Sequence, residues 1–63
     1  MKMNISLHQR IKGLMQSNRW DHAYATGYAH GESDAESGRP REIPIDEPTD
    51  FALGYHKGYA SQQ

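Results

Sequence analysis

The chain has 63 residues, 35% of them hydrophobic, with no cysteine and a formal net charge of −1. That length allows one domain around one small core, and the lack of cysteine excludes disulfides and thiolate metal sites. No apolar run approaches the ~20 residues of a membrane helix, and the N-terminal stretch lacks the apolar core and cleavage site of a secretory signal, so a cytoplasmic location is expected.

The charge is unevenly spread. Residues 1–20 hold Lys2, Arg10, Lys12 and Arg19 and no acid, whereas residues 21–50 hold all eight acids and only Arg39 and Arg41. A basic arm suits nucleic acid or an acidic protein surface, while an acidic middle repels phosphates.

In chain order, Ile5, Leu7, Ile11, Leu14 and Met15 come close to a helical stripe at three- and four-residue steps, which predicts a first helix over 6–16. Ser6 followed by Gln9 matches a capping box. Gly13 weakens this helix by about 1 kcal/mol. Asn18 is the expected N-cap of a second helix starting near Arg19, with Asp21 in its first turn. Gly38 and Pro40 predict its end. Pro40, Pro44 and Pro48 make the following stretch an extended loop. A third helix is then expected, capped by Asp46 or Thr49 and fraying at the C-terminal Ser-Gln-Gln.

The second and third helices carry a repeat. Tyr24 to Gly31 reads YATGYAHG and Phe51 to Gly58 reads FALGYHKG, 27 positions apart. Their richness in Ala and Gly, with Thr26 as the one β-branched residue, favours helix over strand. Read as helices, they align Trp20, Tyr24 and Tyr28 in one stripe and Phe51, Tyr55 and Tyr59 in another. Beside these run small residues: Ala23, Gly27, Gly31 and Ala35, then Gly54 and Gly58. Each mid-helix glycine costs roughly 1 kcal/mol, so the four together cost about 4 kcal/mol, a large fraction of the ~5–15 kcal/mol that stabilises a typical domain. Glycines four apart flatten a helix face so that another backbone can come close. Ala23, Gly27, Gly31, Gly54 and Gly58 are therefore assigned to helix packing, within the chain or across a homodimer. The tyrosines have two readings, core packing or stacking on bases and partner side chains.

No spacing suits catalysis or metal. His8, His22, His30 and His56 lack paired metal-ligand spacing, and Glu32, Asp34 and Glu36 alternate around a helix. No phosphate-binding loop or nucleophile elbow is present. A non-enzymatic protein without cofactor is expected. Arg39 and Arg41 lie on a proline-stiffened loop that suits phosphate or carboxylate recognition.

Ala23, Gly27, Tyr28 and Gly31, then Gly38 and Arg39, then Phe51, Gly54 and Tyr55 form a pattern that resembles the ribosome modulation factor family of small bacterial proteins, which takes in plasmid- and phage-borne relatives. The resemblance covers about residues 19–60 and implies two helices joined by a proline-containing loop. It further implies binding to ribosomal RNA; on an RNA-binding reading of this chain, Lys2, Arg10, Lys12, Arg19, Arg39 and Arg41 would meet phosphates and Tyr28 and Tyr55 would stack.

These readings give one all-α domain over 1–63. A basic N-terminal helix and turn (1–18) lies against an antiparallel pair of glycine-faced helices (19–60), or reaches a partner. Two functions stay open: a ribosome- or RNA-associated modulator, or a phage- or plasmid-type regulator that inhibits a host protein complex through its tyrosines and acidic middle.

Overall fold

The computed structural model describes residues 6–62, which form α1 (Leu7–Asn18), α2 (His22–Glu36) and α3 (Thr49–Ser61). The all-α, three-helix reading holds. Lys2 and Ile5 fall outside the described residues.

α1 starts as expected. The Ser6 hydroxyl accepts a hydrogen bond from the Gln9 backbone N–H at 3.2 Å, satisfying one of the orphan donors of the first turn. The helix runs two residues further than expected. Asn18 is its last residue, with its amide donating to the Leu14 carbonyl at 3.2 Å. Arg19 then turns the chain in the left-handed region, at φ 57°. The cap of α2 is accordingly Asp21 and not Asn18: the Asp21 carboxylate accepts from the Tyr24 N–H at 3.0 Å. Asp and Asn cap equally well, and only the position of the turn decides between them.

α2 ends at the predicted glycine. Gly38 has φ 73°, its N–H donates to Ala35 O at 3.1 Å, and the Arg39 N–H donates to Asp34 O at 2.8 Å. This pair of bonds around a left-handed residue is a Schellman motif. α3 begins differently from expectation. Neither Asp46 nor Thr49 caps it; Pro48 occupies the cap position and makes no side-chain bond. Its fixed φ, here −63°, supplies the entry geometry in place of a capping oxygen.

The two repeat helices pack through their glycine faces, as expected. A Cβ at Gly27 would fall on the Phe51 carbonyl oxygen, and one at Gly31 on that of Tyr55. Reciprocally, a Cβ at Gly54 would fall on the Tyr24 carbonyl oxygen and one at Gly58 on that of Tyr28. The glycine Cα–H therefore points at a facing carbonyl, the geometry of the weak Cα–H···O bond at close helix contacts.

These contacts correct the expected antiparallel course. Residue numbers rise together on both helices, so α2 and α3 run parallel. The physical reason is the connection. α2, with 15 residues, is about 22 Å long. The extended segment 37–48 reaches up to about 40 Å, enough to return along the whole helix. The short link at 19–21 cannot do this, and α1 runs antiparallel to α2: Arg10 meets Glu32, while Leu14 packs with Ala25 and Ala29.

Candidate binding site

The parallel pair has two aromatic sides, each covered by a different element. On one side Trp20, Tyr24 and Tyr28 cluster, with Trp20 ring-centroid distances of 4.7 Å to Tyr24 and 5.0 Å to Tyr28. α1 leans on this side through Leu14, flanked by Ile11 and Met15. On the other side Phe51, Tyr55 and Tyr59 stack at 6.4 and 6.1 Å. The loop 37–48 crosses there.

Polar bonds fasten that loop. The Tyr59 hydroxyl donates to the Arg39 carbonyl at 2.6 Å. The Glu42 N–H donates to the Tyr55 hydroxyl at 3.0 Å, and the Tyr55 hydroxyl donates in turn to Asp34 Oδ2. The other oxygen of Asp34 accepts from Arg39 Nε at 3.1 Å. Arg41 Nη1 donates to His56 Nδ1 at 2.9 Å, and its guanidinium sits 4.7 Å above the Tyr59 ring. Burial pushes the Tyr55 hydroxyl above its ordinary pKa, helped by its bond to Asp34, while the Glu42 N–H pulls the other way. Tyr55 is thus held neutral, as a donor.

Between α2, the loop and α3 lies a groove of about 370 Å³. Ala23, Pro44, Pro48 and Phe51 supply its apolar surface. Thr26, His22 and His30 line it from α2, and Glu42 and Glu47 from the loop. No lysine or arginine lines it. The His30 ring packs 5.7 Å from Phe51, and the Thr26 hydroxyl donates to the His22 carbonyl at 2.6 Å.

The structure redistributes the residues singled out from sequence. Gly27, Gly31, Gly54 and Gly58 form the helix joint. Ala23 is half-buried at its head and lines the groove. Tyr55 is only 1% exposed, so it offers no face to a base. Arg10 is bound bidentately to Glu32, at 3.0 and 2.8 Å, and that bond holds its pKa above the ordinary value. Arg39 and Arg41 are engaged as described above. Lys12 and Arg19 are exposed, and Tyr28 is half-buried beside Trp20. The cations and tyrosines proposed for RNA are therefore not gathered on one surface.

Sequence reasoning missed Asp34, Glu42 and Glu47 as a set with His22 and His30. The periodicity of α2 places His22, Thr26 and His30 on one face, a signal that was available. The loop carboxylates had none, because nothing in the spacing fixes where a proline-containing crossover lies.

No protein-family model, curated protein or solved structure matches this chain. Among the described residues no helix is long and apolar enough to cross a membrane.

Proposed function

We propose that this chain is a small non-enzymatic binding protein and that its partner is a protein, met at the groove between α2, the loop and α3. The observation that carries this reading is the charge of its concave surface. Carboxylates and histidines line it without a lysine or arginine, while Arg10, Arg39 and Arg41 bond to the protein's own side chains. The buried polar group of this region, the Tyr55 hydroxyl, has both its bonds satisfied in holding the loop. That is a scaffold role for the most buried hydroxyl beside the groove.

The ribosome- or RNA-associated reading is the second one, and one observation favours it. Exposed Arg19 directly precedes Trp20, which clusters with half-buried Tyr24 and Tyr28, a pairing of a cation with aromatic faces that suits single-stranded RNA.

Co-sedimentation with ribosomes across a salt series separates the two. If the three exposed cations Lys12, Arg19 and Lys57, the last on α3, carried binding to single-stranded RNA, log K would fall with log salt at a slope of about −2. The protein reading expects no ribosome binding at any salt concentration, and capture of one protein partner instead.

A further inference from the structure

We propose that the groove accepts a short extended polypeptide segment carrying one apolar side chain flanked by lysine or arginine. This inference rests on the groove being the contact surface proposed above. Its dimensions come from α2. From His22 to Asp34 the helix climbs about 18 Å, which matches five or six extended residues at ~3.3 Å each. Its chemistry comes from the lining. Phe51, Pro44, Pro48 and Ala23 form an apolar bed that fits one aliphatic side chain or the stem of a lysine or arginine.

The flanking charge is set by Glu42 and Glu47. Asp34 also lines the groove, but its two oxygens are already bonded to Arg39 and Tyr55. Among the described residues the side chains of Glu42 and Glu47 make no hydrogen bond or ion pair. They are exposed on the loop, across the groove from His22 and His30. An acidic segment would add like charge at both positions, and a nucleic-acid backbone would add more. A segment bearing two cations finds an acceptor at each, with Arg able to grip a carboxylate bidentately.

The test uses the full chain, labelled for amide NMR. Three blocked hexapeptides are titrated, each with a central leucine flanked by two arginines, two serines or two glutamates. The expected result is that the arginine peptide shifts the amides of Ala23, Thr26, His30, Glu42 and Phe51. Binding should weaken about tenfold in the Glu42→Gln, Glu47→Gln double variant, with helical circular dichroism unchanged. Equal binding of the serine or glutamate peptide would overturn the cationic class and leave the groove reading standing. No groove shift with any peptide up to millimolar concentration would overturn both. Movement of the same amides by an oligouridylate, in place of the peptide, would overturn them in favour of RNA.

Discussion

The two repeats share a motif and a joint yet differ in what covers them. Position for position they are equivalent: Gly27 meets Phe51 as Gly54 meets Tyr24, and Gly31 meets Tyr55 as Gly58 meets Tyr28. This is an isologous contact, of the kind found in two-fold dimers, made within one chain. Outside the joint the equivalence ends. The α2 aromatics take an apolar lid, α1, whereas the α3 aromatics take a polar strap. The repeated motif therefore fixes the contact between the halves, and the non-repeated segments give each half its surface.

The largest effects should come from breaking the joint. Alanine at Gly27, Gly31, Gly54 or Gly58 gains about 1 kcal/mol of helix propensity. Its Cβ meets a backbone carbonyl that no side-chain rotation can move. We expect a net loss of about 2 kcal/mol or more from such overpacking. The equivalence makes a sharper forecast: in denaturant melts, Gly27→Ala and Gly54→Ala should match within about 0.5 kcal/mol, as should Gly31→Ala and Gly58→Ala. A twofold mismatch within either pair would break the comparison.

Next comes a pair in which the halves should differ. Tyr55→Phe removes the acceptor of the Glu42 N–H and the donor to Asp34, at a cost of about 1–3 kcal/mol. Its counterpart, Tyr28→Phe, should stay within about 0.5 kcal/mol, because Tyr28 packs by its ring. A Tyr55→Phe loss of no more than about 0.5 kcal/mol in chemical denaturation would mean that these strap hydrogen bonds contribute nothing. Outside the joint the sign reverses. A Cβ at Gly13 meets nothing within 4 Å, so Gly13→Ala should raise stability by up to about 1 kcal/mol. A small loss is expected for Arg10→Ala. Its pair with Glu32 is half-exposed on the Arg10 side and so contributes about 1 kcal/mol or less. Thermal melts should show that difference shrinking in molar salt.

The glycine joint was legible in the sequence because a cost of ~1 kcal/mol per helical glycine, repeated at one spacing, demands a geometric reason. The stop at Gly38 was legible too, through its chemistry as a left-handed residue. Helix direction was not. The same glycine faces can pair either way, and the choice lies in how far 37–48 can travel. The site was obscured for a related reason. Arg10, Arg39 and Arg41 read as free cations only while Glu32, Asp34 and His56 remain distant in sequence. Tyr55 reads as a stacking face only until the loop is seen to lie over it.

The parallel course has one more outcome. Every α-helix carries about half a unit of positive charge at its N-terminus and half a unit of negative charge at its C-terminus. In an antiparallel pair these ends cancel, but in α2 and α3 they add. Asp21 caps one N-terminus and Asp50 lies in the first turn of the other. The two carboxyls sit close enough that Asp21, by hydrogen bond and then by like charge, raises the pKa of Asp50. This crowding of acids is the counterpart of two helix dipoles pointing the same way. At the far end the Arg39 N–H closes the last turn of α2. The parallel course thus gathers two acids at one end of the α2–α3 pair, where an antiparallel course would have set them at opposite ends.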